Sequence, residues 1–142
     1  MIYKFKTKQT DIGFDFDVEF EKNQKIYCII GKTQLLEIGN FRQFDTYTND
    51  KSWIFQNKTL GNLSTKNQIP PFTYERIIKE SARFIDVIWF NNRGFPSSIF
   101  EVEHSTDFRG ALIKFTELQD FKTNFYCISD ESKRKKYLLN TF

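Results

Sequence analysis

The chain has 142 residues, 27% of them charged and 39% hydrophobic, and its formal net charge is +3. These values are typical of a soluble domain large enough to form a hydrophobic core without disulfides. The two cysteines, Cys28 and Cys127, are too few and too far apart for a disulfide framework or a zinc cluster. The mild positive charge permits a nucleic-acid partner but does not by itself indicate one.

The first ten residues lack the apolar stretch of a signal peptide, and no run of about 18 apolar residues occurs anywhere in the chain. The sequence therefore predicts a cytoplasmic protein without a membrane partner.

In chain order, residues 1–30 have the pattern of strands. Residues 14–20 alternate strictly between apolar and acidic side chains, residues 21–24 are polar, and residues 25–30 form a second apolar run. We expect an N-terminal β-hairpin extension over residues 1–30, followed by a core over residues 31–142, within a single domain.

The sequence of residues 31–142 predicts alternating helices and strands. Residues 41–69 are rich in turn residues and carry no clear assignment. The elements predicted around them are helices over 32–40, over 74–83 (capped by Thr73), from a cap at Ser105 or Thr106 to about residue 120, and over 131–139, and strands over 84–90, 97–103 and 123–129. This order predicts an α/β fold in which a mixed β-sheet is flanked by helices.

Asp86 lies in the middle of the apolar strand predicted over residues 84–90. Burial of a carboxylate there costs several kcal/mol unless it is paired or bound to a cation. The next strand carries Glu101 and Glu103 on one face, and the short turn between the strands predicts an antiparallel hairpin. Asp86 and Glu101 are then expected to lie close together. Three carboxylates converging at this place are suited to a hard divalent ion.

These residues resemble the PD-(D/E)XK, or restriction-endonuclease-like, nuclease superfamily. That superfamily has an acid on one strand of a hairpin and an acid-x-lysine triplet on the next, which Asp86 and Glu101-Val102-Glu103 resemble. The run FEVEHST, before a leucine-containing helix, is similar to a subgroup with an EVE- or EVK-HST block. The resemblance extends over residues 32–129 and implies a restriction-endonuclease-like fold.

The resemblance also implies a function, namely hydrolysis of phosphodiester bonds in DNA by a Mg²⁺-dependent endonuclease of the restriction or defence type, with Mn²⁺ as a substitute. Asp86, Glu101 and Glu103 are its implied catalytic and metal-binding residues, and Glu37 is a further implied metal ligand. Glu103 stands where the superfamily has lysine, so Lys114 or His104 is implied to supply the positive charge. Arg93 and Arg109 are expected to contact the DNA backbone beside the site.

Two alternatives stay open at this point. A catalytically degenerate module of the same fold would bind DNA or a partner subunit without cutting, and the glutamate in the lysine position favours it. A protein-interaction domain is suggested by the aromatic N-terminal hairpin. A homodimer is expected if both strands of a duplex are to be cut. A further subunit or domain is expected if it recognises the target.

Overall fold

The computed structural model describes residues 13–103 and 109–129. Its elements in chain order are α1 (Gly13–Phe41), β1 (Asp45–Thr48), β2 (Ile54–Phe55), β3 (Lys58–Thr59), α2 (Leu60–Leu63), α3 (Glu75–Glu80), a 3-10 helix (Ala82–Phe84), β4 (Val87–Phe90), β5 (Pro96–Val102), α4 (Arg109–Glu117) and β6 (Asn124–Ile128). Neither α1 nor any shorter helix in these ranges combines the length and hydropathy needed to span a membrane.

The main sheet has four strands in the order β1-β4-β5-β6. β4 is antiparallel to β1 and β5, whereas β6 is parallel to β5. β2 and β3 form a separate small hairpin. The predicted mixed sheet with flanking helices is therefore confirmed.

The predicted N-terminal hairpin is wrong where the structure describes it, because residues 13–41 form one continuous helix. The presumed turn, Glu21–Gln24, contains no Gly or Pro, and Glu, Lys and Gln are good helix formers. The second half of the helix also has a helical pattern of burial, since Cys28, Lys32, Leu36 and Gly39 recur at intervals of three or four residues. The boundary expected between residues 30 and 31 falls inside α1, and the helix predicted over 32–40 is its last part.

The two faces of the sheet bury separate clusters. Alternation along the strands directs Val87, Trp89 and Phe100 toward α1, where they pack with Leu36 and Leu60. The opposite face packs with α4. Its buried residues are Tyr47, Ala82, Ile85, Ile88, Phe90, Ile99, Ala111, Phe115 and Leu118. The sheet is thus covered by a helix on each face, and its strand ends are left to form sites.

The β4–β5 hairpin follows the sequence prediction closely. The side chain of Asn91 accepts hydrogen bonds from the backbone N–H groups of Arg93 and Phe95, at 2.9 and 3.1 Å. Gly94 completes the turn with a φ of 81°, a conformation that favours glycine. The antiparallel register pairs Val87 with Phe100, which places Asp86 next to Glu101 at the end of the hairpin opposite the turn.

Several smaller expectations differ from the structure. The predicted helix over 74–83 is interrupted at Ser81, and its N-cap is Tyr74, which makes no side-chain cap, rather than Thr73. The strand predicted from residue 84 begins at Val87, because residues 82–84 form the 3-10 helix. The predicted start of α4 and the helix predicted over 131–139 lie outside the described residues.

The contact between α1 and Trp89 depends on Gly39. The Trp89 indole N–H donates to the backbone carbonyl of Leu35 at 3.0 Å, so the ring lies directly against the helix. A Cβ on Gly39 would collide with Trp89 Nε1 and would lie 2.7 Å from Thr46 Cγ2. In contrast, a Cβ on Gly110 of α4 would meet no atom within 4 Å.

We therefore expect Gly39→Ala to lower the free energy of unfolding by about 2 kcal/mol or more, because the overpacked ring must move. Gly110→Ala is the matched control and should raise it by up to about 1 kcal/mol, the difference in helix propensity. Urea denaturation followed by circular dichroism measures both. Equal stability of Gly39→Ala and the wild type would show that the close approach of α1 to Trp89 is not required.

Candidate functional site

Two carboxylates meet where β4 and β5 separate. Backbone pairing of these strands ends at Val87 and Phe100. Beyond it, the N–H of Asp86 donates to Glu101 Oε2 at 2.8 Å, and the N–H of Val102 donates to Asp86 Oδ2 at 2.7 Å. Each carboxylate thus accepts a backbone hydrogen bond from across the hairpin, and the two acids lie close together, as expected from the sequence. We call Asp86 and Glu101 the carboxylate pair.

Lys114 of α4 lies against one member of the carboxylate pair. Its ammonium group donates to Glu101 Oε1 at 2.6 Å and to the carbonyl of Phe84 at 3.1 Å. The Glu101 side chain is 5% exposed, whereas that of Lys114 is 31% exposed. The contact therefore joins a buried carboxylate to a cation that solvent still reaches.

Lys32 of α1 lies against the other member. Its ammonium group is 3.1 Å from Asp86 Oδ1 and also forms an ion pair with Asp50, just after β1. The Lys32 side chain is only 4% exposed, and its ammonium lies 4.4 Å from the centre of the Trp53 ring. Burial alone lowers the pKa of Lys32, but the charges and hydrogen bonds of Asp86 and Asp50 outweigh burial and raise it. Lys32 therefore stays charged at neutral pH.

The end of β1 supplies neutral polar groups to the same place. The Thr48 hydroxyl donates to the carbonyl of Asp86 at 2.8 Å. The Asn49 amide donates to the carbonyl of Phe84 at 3.0 Å and approaches Asp86 Oδ1 at 3.5 Å. Asn49 Oδ1 is buried and accepts no hydrogen bond from the part of the chain that the structure describes. A buried acceptor without a partner beside a carboxylate is an available ligand for a cation or a water.

Burial and the nearby charge of Asp86 together raise the pKa of Glu101 to about 7, although Lys114 and the hydrogen bond from the Asp86 N–H act in the opposite direction. A carboxyl group with a pKa near neutrality is common where acids crowd a functional site. Three carboxylates, those of Asp50, Asp86 and Glu101, face two ammonium groups here.

The other sequence candidates are placed differently. Glu103 follows β5 and is half-buried, and its N–H donates to the carbonyl of Ile128 at 2.8 Å. Glu37 is exposed on α1. His104 lies outside the described residues. Within residues 13–103 and 109–129, no group of three or more His, Cys, Asp or Glu side chains is arranged to hold a metal ion. The structure thus brings together Asp86, Glu101 and Lys114 of the predicted set.

The position expected for Arg93 is wrong. Arg93 lies in the β4–β5 turn, at the end of the hairpin opposite the carboxylate pair, so it does not lie beside the site. Arg109, also expected there, is exposed at the start of α4.

Sequence reasoning missed Lys32, Asn49 and Asp50. The first lies in the segment read as the start of a short helix, and the other two lie in the unassigned stretch 41–69. One signal was available, because Lys32 shares the helical spacing of Cys28 and Leu36 and so is expected on a buried face. A buried lysine requires an acidic partner, although the sequence does not specify which acid supplies it.

The raised pKa of Glu101 gives stability a defined pH dependence. The folded pKa lies above the ordinary value of 4.5, so ionisation of Glu101 disfavours the folded state. Below about pH 4.5 the protonated Glu101 makes its full contribution to the free energy of unfolding. This contribution is lost as the pH rises to about 7, which lowers the free energy of unfolding by about 3 kcal/mol at most. The stability of wild type relative to Glu101→Gln should therefore fall between about pH 4.5 and pH 7. Urea denaturation across this pH range tests the prediction, with the exposed Glu75→Gln as a control that should show no such fall. A difference in the free energy of unfolding between wild type and Glu101→Gln that stays constant with pH would contradict the prediction.

Lys32→Met should lower the free energy of unfolding by about 3–5 kcal/mol, because it leaves two acids facing each other without their buried cation. Adding Asp50→Asn and Asp86→Asn should restore part of the loss. Lys79→Met, which removes an exposed lysine paired with Glu75 on α3, is the control and should change little. A Lys32→Met protein as stable as this control would show that the buried ion pairs contribute nothing to folding.

A family model described as the type II restriction enzyme NmeDI C-terminal domain matches residues 17–140. No curated protein and no solved structure matches the chain. The match contains both acids of the carboxylate pair and both lysines that contact them. Because the matched residues make up most of the sequence, the chain belongs to the type II restriction enzyme NmeDI C-terminal domain family.

Proposed function

We propose that this chain is the catalytic module of a restriction-type DNA endonuclease of the PD-(D/E)XK type. The observation that supports the proposal most strongly is the carboxylate pair, two acids held side by side by crossed hydrogen bonds at the separating ends of β4 and β5. The family match supports DNA as the substrate, since restriction enzymes act on DNA. The order of the elements also supports the proposal, because a helix is followed by an antiparallel hairpin, a second helix and a parallel strand.

The donor atoms at the carboxylate pair fit Mg²⁺. Mg²⁺ prefers oxygen ligands and commonly takes only one or two protein carboxylates, with water and substrate phosphate as its remaining ligands. Asp86 and Glu101 would supply the carboxylates, and the buried Asn49 Oδ1 beside them is an oxygen without a partner. A bound Mg²⁺ would lower the pKa of a water molecule and polarise the scissile phosphate.

The lysines and Glu103 would complete the chemistry. Lys114 is held by Glu101 and the carbonyl of Phe84 yet stays accessible to solvent, so its charge can stabilise negative charge that develops on a phosphate oxygen. Lys32 is buried and would act as a positioning residue that fixes the orientation of Asp86. Glu103, half-buried just after β5, would accept a proton from the attacking water. One such site cuts one strand, so cleavage of a duplex would require a homodimer or a second subunit.

A second candidate function is a DNA-binding module that does not cut. The observation that favours it is that a lysine already contacts each member of the carboxylate pair, so part of their charge is compensated without a metal ion. Glu103 in the usual lysine position favours it as well. The two candidates differ in whether the carboxylate pair binds a divalent ion.

The cleavage experiment uses supercoiled plasmid DNA with Mg²⁺ or Mn²⁺. Wild type should nick or linearise the plasmid, while Asp86→Asn and Glu101→Gln should each reduce the rate by at least about 100-fold, since a metal ion contributes several kcal/mol to transition-state stabilisation. Glu75→Gln, an exposed acid on α3, is the matched control and should cut like wild type.

Cleavage that persists in Glu101→Gln would indicate a contaminating nuclease and would overturn the assignment of the site. Absence of cleavage by wild type, together with no binding of Mn²⁺ in calorimetry, would overturn the catalytic proposal and support the second candidate. Circular dichroism of each variant establishes that it is folded before its activity is compared.

A further inference from the structure

We infer that a groove at the end of the sheet opposite the carboxylate pair binds a single strand of DNA. The inference takes DNA as the partner from the proposed function but requires no cleavage. The groove consists of two depressions of about 230 and 310 Å³ that share Ser97 in their linings. The larger depression just reaches the volume of about 300 Å³ at which small-ligand sites begin, and the smaller one falls short of it.

Aromatic rings line the first depression. Four rings form a row across the face of the sheet toward α1, from Phe44 through Trp89 and Phe100 to Tyr126, with neighbouring centroids 5.3, 4.5 and 5.1 Å apart. Tyr126 stacks on Phe100 at an interplanar angle of 16° and is itself 44% exposed. The outer face of this ring is therefore available for a nucleobase, and stacking of that kind does not depend on base identity.

Ser98 and Asn124 supply polar groups between these rings. They are register partners on β5 and β6, and both line the first depression. Because they lie beside Tyr126, their hydroxyl and amide groups can donate to or accept from the edge of a base stacked there. A purely apolar partner would leave these groups without hydrogen bonds.

Cations flank the rings on both sides. Arg42 lies 5.6 Å from the centroids of both Phe44 and Trp89 in the first depression. The second depression contains Arg93, 5.4 Å from the centroid of the 42%-exposed Phe95, and Lys122. None of the residues that line either depression is acidic. Within residues 13–103 and 109–129, no ion pair involves these three cations.

This combination of features favours a single strand over a duplex. Only unstacked bases can stack on the exposed ring faces, and the cations beside the rings can then contact the phosphates of the same strand. Along β5, Glu101 lies three residues from Ser98, which corresponds to about 10 Å. The groove is therefore separate from the carboxylate pair but close enough to contact the same DNA molecule.

The test is fluorescence anisotropy with a short, 5′-labelled oligothymidylate and the intact chain, in EDTA so that no cleavage occurs. Tyr126→Leu should weaken binding by about tenfold or more, the usual effect of removing one stacking ring. Tyr126→Phe keeps the ring and should bind like wild type. Tyr74→Leu, which removes a 77%-exposed tyrosine at the start of α3, is the matched control and should also bind like wild type.

The salt dependence of binding tests the cations separately. Arg93→Gln combined with Lys122→Gln should reduce the slope of log affinity against log salt by about 1.4, because two phosphate contacts on a single strand are lost. Both side chains are exposed, so this variant is expected to fold. The exposed pair Arg76→Gln and Lys79→Gln on α3 is its control and should leave the slope unchanged.

The inference is overturned if wild type does not bind the oligothymidylate, or if Tyr126→Leu binds as tightly as wild type. It is also overturned if a blunt duplex competes as effectively as the single strand, since that result indicates general attraction to phosphate. Because the assay contains no divalent ion, a failure of plasmid cleavage leaves its outcome unaffected, so this inference and the proposed function can fail independently.

Discussion

The burial of Lys32 between Asp50 and Asp86 is the interaction on which the rest of the site depends. It connects α1 to the end of β1 and to the residue just before β4, three parts of the chain that are distant in sequence. A buried ammonium group is tolerated only with partners of opposite charge, so the positions of all three residues are strongly constrained. Asp86 is thereby fixed in the orientation in which it accepts the backbone N–H of Val102.

The charge distribution at the carboxylate pair follows from this constraint. Lys32 compensates Asp86 from one helix, and Lys114 compensates Glu101 from the other. The sheet places the acids side by side, whereas α1 and α4 on its two faces supply the cations. Burial, together with the charge of Asp86, keeps the pKa of Glu101 near neutrality despite Lys114.

Local pattern was sufficient to predict part of this arrangement. The β4–β5 hairpin has strong strand residues around a short turn with Asn91 and Gly94, so its register and the proximity of Asp86 to Glu101 follow from nearby sequence. The first part of α1 was misread because alternation of phenylalanine with acids is a strand signal, while good helix formers over 21–24 join the two apolar runs. Lys32 and Asp50 are 18 residues apart, and the turn-rich stretch between them gives no local indication that they meet.

The two tryptophans of the chain lie beside the carboxylate pair and in the groove that we infer to bind a single strand of DNA. The Trp53 ring contacts the Lys32 ammonium next to the carboxylate pair, and Trp89 lines the first depression of the groove. Indole emission is sensitive to nearby charge and to stacking. The protein therefore contains an intrinsic optical reporter at each place, and replacing either indole by phenylalanine would leave the signal of the other to be followed alone.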